Sequence, residues 1–331
     1  MSVHAMVKHE RMGYGDVRIY AGTASPDLAH AVAAYLNISC CEHDIITFPN
    51  ENLLIKLKKS VRGQDCYIIQ TTSAPVHRNL MELLITLQTL RLDSASRVTA
   101  VIPYLSYAKS DKKDQPRIPI TARLIADMIE VAGADRYITF DLHAGQIQGF
   151  FSIPGDVIST FYMLVNHMAT IKDKMVSPVV VSVDLGFAKK ARNFAERLNA
   201  PLAFIEKRRI ANDAKAKALT LIGDVKGRDV ILVDDEVDTG GSMCEAVRTV
   251  KEFGARDVYV VFVHPVLSRD AAARLADLPV KQYITTDTIP IPLEKFALLQ
   301  DKIKILSIAP MLAEVILRSN EGRSVGEMFK E

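Results

Sequence analysis

The run DVILVDDEVDTGGSM, Asp229 to Met243, sets four carboxylates and two glycines directly behind the apolar residues VILV. VILV reads as a buried strand and CEAVRTVKEFGA as the helix after it, so Asp234 through Ser242 occupy a strand's C-terminal end and a helix start. That junction is the usual ligand crevice of an open α/β sheet. Gly240 and Gly241 let the backbone approach closely, while Thr239, Ser242 and the N–H groups of the first helical turn offer donors to an anion. These residues make a phosphate cradle. Asp234 and Asp235 would repel a phosphate that they faced, so they are suited to accept hydrogen bonds from sugar hydroxyls or to act beside a metal or cationic groups. The motif asks for a phosphorylated sugar; a purely structural acidic turn is the alternative reading.

Three further groups have chemistry of their own. His143 in DLHAGQ and Asp184 in VSVDLG each stand just beyond a predicted strand. In isolation His143 reads as a hydrogen-bonded structural histidine and Asp184 as a helix N-cap. EKRR, Glu206 to Arg209, concentrates positive charge, which alone would describe a solvated face.

These residues need a scaffold, and the apolar pattern supplies one. Runs of strand length such as VRIYAG, CYIIQT, VTAVIPY, RYITFD, LAFIEK, DVYVVFVHP and QYITTD alternate with helical segments such as RNLMELLITLQTL and TARLIADMIEVAGA. Nearly continuous apolar strands alternating with helices predict parallel sheets covered on both faces. SRVTAVIPYL followed by DRYITFDLH echoes RDVYVVFVHPV followed by KQYITTDTIP, as expected of two copies of one α/β unit. A length of 331 residues suits two domains. The boundary is expected near FFSIPGDVIS, with Pro154 and Gly155 as an interdomain turn: residues 1–16 a flexible leader, 17–158 the first domain and 159–331 the second.

Composition excludes more than it identifies. With 41 basic and 39 acidic residues there is no bulk charge that would by itself indicate nucleic acid, and none is expected as a partner. Four cysteines without a CxxC point to neither a disulfide framework nor a zinc site, so a reducing cytoplasm is the expected compartment. No apolar stretch approaches the ~18 residues of a membrane span, and no membrane association is expected.

The Asp234–Ser242 element resembles the phosphoribosyl pyrophosphate loop of type I phosphoribosyltransferases and phosphoribosyl pyrophosphate synthetases. The segment from YAKSDKK to FFSIP, together with EKRRIANDA and the ending LSIAPMLAEVILRSNEGRSVGEMF, is similar to the signatures of the ribose-phosphate diphosphokinase family, from about Val17 onward. The resemblance implies an α/β fold of two tandem phosphoribosyltransferase-like domains, each a mainly parallel sheet flanked by helices. It implies transfer of the β,γ-diphosphoryl group of MgATP to the anomeric hydroxyl of ribose 5-phosphate, giving phosphoribosyl pyrophosphate and AMP. Asp234 and Asp235 then hold the ribose hydroxyls, and Asp238, Thr239, Gly240, Gly241 and Ser242 the 5-phosphate. His143 and Asp184 match magnesium-binding positions. Lys207 and Arg209 match catalytic cations on a closing loop, which stabilise charge and exclude water. The nucleotide is assigned to the adenine loop Phe48 to Asn52 and to Lys109 and Ser110. A homo-oligomer is implied, a hexamer built from dimers in which the adenine loop reaches a neighbour's site. SVRG, Ser60 to Gly63, is similar to a regulatory segment of the phosphate-activated class.

The chain also departs from that family. Its adenine loop reads FPNEN, so Asn50 and Asn52 flank Glu51 where carboxylates are usual, and an asparagine amide donates as well as accepts. Lys109-Ser110 replaces Arg-Gln and loses the planar guanidinium fork. Leu185 and Phe187 replace small residues after Asp184, beside the expected acceptor site. A different donor or a larger phosphoribosyl acceptor, or a non-catalytic regulatory homologue, are the alternatives these changes leave open.

Overall fold

The computed structural model describes residues 13–184, 186–209 and 217–329. In its first half β1 (Val17–Ala21), α1 (Pro26–Tyr35), a hairpin of β2 (His43–Thr47) and β3 (Leu53–Leu57), β4 (Asp65–Ile69), α2 (Val76–Leu92), β5 (Arg97–Ile102), α3 (Thr121–Val131), β6 (Arg136–Phe140) and β7 (Gly155–Ile158) follow one another. The parallel sheet runs β1-β4-β5-β6-β7, and the hairpin stands apart as a two-stranded sheet. β4 and β5 are buried at every position, as their mainly apolar sequences require of strands covered on both faces, with Asp65 and Arg97 the charged exceptions.

The second half adds α4 (Phe161–Lys172), β8 (Val179–Ser182), α5 (Ala188–Arg197), β9 (Leu202–Arg209), β10 (Lys217–Ile222), β11 (Val230–Glu236), α6 (Gly241–Glu252), β12 (Val258–His264), α7 (Ala271–Ala276), β13 (Gln282–Thr286), α8 (Leu293–Leu299), β14 (Ile303–Leu306) and α9 (Ala309–Glu321). Its sheet runs β10-β9-β8-β11-β12-β13-β14, parallel except where β10 meets β9. From β8 the chain winds outward to β9, whereas from β11 it winds the other way to β12. The order therefore reverses between β8 and β11, and a crevice opens beyond their C-terminal ends. Asp184 follows β8, and Asp234 to Ser242 end β11 and begin α6.

The sequence echo has a structural counterpart, since β5–β6 and β12–β13 are each neighbouring parallel strands. Two features differ from expectation. Pro154 and Gly155 lead into β7 rather than forming an interdomain turn; a Cβ at Gly155 would fall 2.0 Å from the Tyr137 ring, so glycine is what lets β7 close against β6. The last helix, α9, packs with the first sheet: Leu312, Val315 and Ile316 share a core with Ile19, Tyr67 and Ile138. A buried ion pair reinforces that return, for Arg97 donates to Asp65 at 2.6 and 2.8 Å and to the Ser319 carbonyl at 3.1 Å. Among the described residues no helix is long and apolar enough to cross a membrane.

Candidate active site

A cavity of about 200 Å³ opens at the strand-order reversal, lined by Lys109, His143, Asp184 and every residue from Asp234 to Met243. Two sheets contribute to it. Lys109 and His143 come from the loops after β5 and β6 of the first sheet, and the remainder from the second.

The cradle has the geometry its glycines imply. Gly240 sits at φ 77°, the left-handed region, and turns the chain into α6, whose first residue is Gly241. The first N–H groups of that helix lack intrahelical acceptors and, with the helix dipole, favour an anion. Asp238 beside this cradle is accounted for: its carboxylate accepts the Ser268 hydroxyl at 2.5 Å, and its carbonyl the Ser268 N–H at 3.0 Å. Thr239 and Ser242 are exposed at the mouth.

The acidic pair divides into unlike members. Asp235 is buried and its carboxylate meets His143 Nδ1 at 2.7 Å, which fixes that nitrogen as the donor. Burial acts to raise the Asp235 carboxyl, but the hydrogen bond and charge of His143 outweigh it and hold it below the usual carboxylate range. The same hydrogen bond overcomes burial at His143 and raises its pKa. The Asp234 carboxylate accepts the N–H of Asp235 at 3.0 Å; burial, then the charges of Asp235 and Asp184, push its carboxyl well above the usual range. A bound cation or a hydroxyl donor would relieve that crowding.

Asp184 is exposed on the cavity wall, and one of its carboxylate oxygens accepts the Phe187 N–H at 2.9 Å, shaping the turn into α5. His143 is set in place from behind. Asp141, two residues earlier, accepts the Thr160 N–H and hydroxyl at 2.7 and 2.6 Å and the Ser159 hydroxyl at 3.0 Å. Its carbonyl lies 3.3 Å from Nε2 of the buried His264, which must donate there and accept the Thr288 hydroxyl at Nδ1, 2.9 Å away. Asp141 thus serves local structure, as does Asp156, paired with Arg136 at 2.8 Å.

Other expected residues lie apart from the cavity. Ser110 turns its hydroxyl to Thr121, 3.3 Å away at the start of α3. Phe48, Asn50, Glu51 and Asn52 form the exposed β2–β3 hairpin tip, where Glu51 has φ 67° and Asn50 Oδ1 accepts the Asn52 N–H at 3.2 Å. The side chains of Lys207 and Arg209, at the end of β9, lie outside the described residues, as does Leu185. Sequence reasoning missed Glu236 and His264. Glu236 forms an ion pair with Lys109; its signal was present as the third carboxylate of the motif, whereas nothing local marks His264.

Fold and cavity are those of the open α/β class whose ligand crevice lies at a strand-order reversal, and comparison with known proteins narrows it. The family model for the N-terminal domain of ribose phosphate pyrophosphokinase matches residues 17–133, and that for the phosphoribosyl synthetase-associated domain matches 209–330. The chain is 44% identical to a ribose-phosphate pyrophosphokinase of Caldanaerobacter subterraneus subsp. tengcongensis, covering 95% of this chain and 98% of that one. With the Pasteurella multocida ribose-phosphate pyrophosphokinase it shares 42% identity over 95% of this chain and 99% of the other. The crystal structure of phosphoribosylpyrophosphate synthetase from Mycobacterium smegmatis superposes with a TM-score of 0.87 at 39% identity, covering 93% of this chain and 99% of that one. The chain belongs to the ribose-phosphate pyrophosphokinase family.

Proposed function

We propose that this protein transfers the β,γ-diphosphoryl group of MgATP to O1 of ribose 5-phosphate, giving phosphoribosyl pyrophosphate and AMP for nucleotide biosynthesis. One observation carries the reading: a single cavity joins the acidic pair and phosphate cradle of the second sheet to Lys109 and His143 of the first. Asp234 and Asp235 accept hydrogen bonds from the ribose hydroxyls, and the start of α6 with Thr239 and Ser242 holds the 5-phosphate. The anomeric oxygen then attacks the β-phosphorus, the bond from that phosphorus to the α,β-bridging oxygen breaks, and AMP leaves with that oxygen. Lys109, on the wall of that cavity, is the cation we assign to the donor's phosphates. Lys207 and Arg209 are the cations we assign to charge that develops during transfer.

The donor set suits magnesium, which takes oxygen ligands, keeps several waters and needs few protein groups. Among the described residues no three His, Cys, Asp or Glu side chains form a ready metal cage, but Asp184 is an exposed carboxylate and the crowding at Asp234 calls for positive charge. Asp184 by its carboxylate, and His143 through a magnesium-bound water because the ion takes oxygen ligands and His143 Nδ1 donates to Asp235, are the residues that would hold the ion, which when bound would neutralise charge on the donor phosphates.

The cavity is open to solvent, and the nucleotide base is assigned to a further surface. We assign it to the exposed Phe48–Asn52 hairpin tip of a second copy of the chain, which supports a homo-oligomer, with a dimer-based hexamer as the assembly. The four free cysteines accord with a cytoplasmic setting, and neither nucleic acid nor a membrane is assigned as a partner. A donor-by-acceptor activity matrix with magnesium, read by product mass, tests the reading: ATP with ribose 5-phosphate is the expected best pair, and turnover confined to another pair overturns it.

A further inference from the structure

Among the described residues two ion pairs cross the cavity from the second sheet to the first, and they are unlike. His143–Asp235 joins two residues already assigned to ligands. Lys109–Glu236 joins the cation assigned to the donor's phosphates to a carboxylate with no assigned part.

Glu236 is the fixed member of its pair. It is the last residue of β11, in register with His264 of β12, and its side chain is only 7% exposed against 53% for that of Lys109. Burial, then the Glu236 carboxylate, raise the pKa of the nearby Tyr104 phenol, which marks the same carboxylate as a close neighbour of a second residue from the first sheet. Lys109 stands on a flexible four-carbon stem and can turn to another anion, whereas Glu236 cannot follow it. A polyphosphate that engages Lys109 must therefore take it from Glu236 and leave that carboxylate in a poorly hydrated place beside further negative charge.

We propose that Glu236 is a positioning residue for the donor: it competes with the nucleotide's phosphates for Lys109, sets donor affinity and ties donor capture to the loop that holds the sugar phosphate. The inference rests on the reading of Lys109 as a donor-phosphate contact. It makes Glu236 act through Lys109 and not by touching the reacting atoms.

A double-mutant cycle read by calorimetric titration with MgATP tests it without requiring turnover. Glu236→Gln keeps the size and hydrogen-bonding capacity of the side chain and removes its charge. It should tighten MgATP binding by about fivefold, the equivalent of the ~1 kcal/mol of a partly exposed ion pair. In the Lys109→Ala background the same substitution should tighten binding less, because the competition for Lys109 is gone and only direct repulsion of the phosphates remains. In steady state the gain should fall on KM for MgATP more than on kcat, a split that mere loosening of the loop would not produce. Glu236→Ala provides the same comparison if the glutamine variant fails to fold. Unchanged or weaker binding by Glu236→Gln, or equal tightening with and without Lys109, overturns the inference. A wild type that binds MgATP but forms no phosphoribosyl pyrophosphate would overturn the activity and leave the cycle to judge Glu236.

Discussion

Gly240 is the position at which the sugar-phosphate cradle can be perturbed by a calculable amount. Its φ of 77° lies in the left-handed region, where an L-residue other than glycine loses about 1 to 2 kcal/mol. Space is not at issue: a Cβ there would meet Ala271 at 3.7 Å, an ordinary contact. The whole effect of Gly240→Ala is therefore backbone strain, offset in part by the lower entropy of the unfolded alanine chain, for a net of ~1 kcal/mol. If the loop keeps its shape, the melting temperature falls by about 2 °C in a chain of this size. If it relaxes, ligand binding must restore the left-handed turn, and KM for ribose 5-phosphate rises by about 5- to 30-fold, the equivalent of ~1 to 2 kcal/mol. Gly240→Asn should recover most of either loss, because asparagine visits this region readily. Thermal melts and ribose 5-phosphate titrations of both variants test the reasoning. A loss in affinity beyond roughly a hundredfold for alanine, or an asparagine variant as impaired as alanine, would refute strain as the cause.

If Lys207 and Arg209 act as proposed on charge in the transition state, Lys207→Ala and Arg209→Ala should each lower kcat by ~100-fold or more while KM for ribose 5-phosphate changes little; steady-state kinetics showing losses in KM alone would contradict those roles. Asn50→Asp keeps the acceptor used by the Asn52 N–H and adds a charge-assisted hydrogen bond of about 1.5 to 3 kcal/mol, so KM for ATP should fall by tenfold or more; a wild-type preference for GTP over ATP above roughly tenfold in kcat/KM would instead show a re-specified base pocket. Asp229 accepts two hydrogen bonds from Arg256 at 2.6 Å and one from the Val176 N–H at 2.8 Å; burial acts to raise its carboxyl, but these donors outweigh it and hold the folded value below the usual one. The stabilisation is present above the unfolded value of ~3.9 and is lost as pH falls through the folded value, so Arg256→Ala should move the acid-unfolding midpoint to higher pH, and an unmoved midpoint in an acid titration would count against the pairing.

Long apolar runs made most of the architecture legible: β4, β5 and β12 are buried throughout, and their mainly apolar residues are interrupted only by Asp65, Arg97, Thr99 and His264. β2 and β3 escaped because their half-exposed hairpin mixes charge with apolar residues, and β7 because it is four residues long and begins at a glycine selected by the Tyr137 ring. The return of α9 to the first sheet was hidden for a different reason: an amphipathic helix shows that it has a buried face, not which sheet covers it. Within the site, the order of strand, acidic pair, glycines and helix was local and could be read directly. Pairings between sheets could not. His143 meets Asp235 across 92 positions, and Ser110, adjacent to Lys109, turns away to Thr121, so neighbours in sequence part while distant residues join.

The central claim is that the anomeric oxygen of ribose 5-phosphate attacks the β-phosphorus of ATP, and an oxygen label follows that bond directly. With freshly prepared ribose 5-phosphate carrying ¹⁸O at C1, the enzyme and MgATP, ³¹P spectra and product mass should place the label in the bridge between C1 and the new diphosphate, with one unlabelled AMP formed for each phosphoribosyl pyrophosphate. Label in the released nucleotide, or ADP formed with a singly phosphorylated product at C1, would contradict the account.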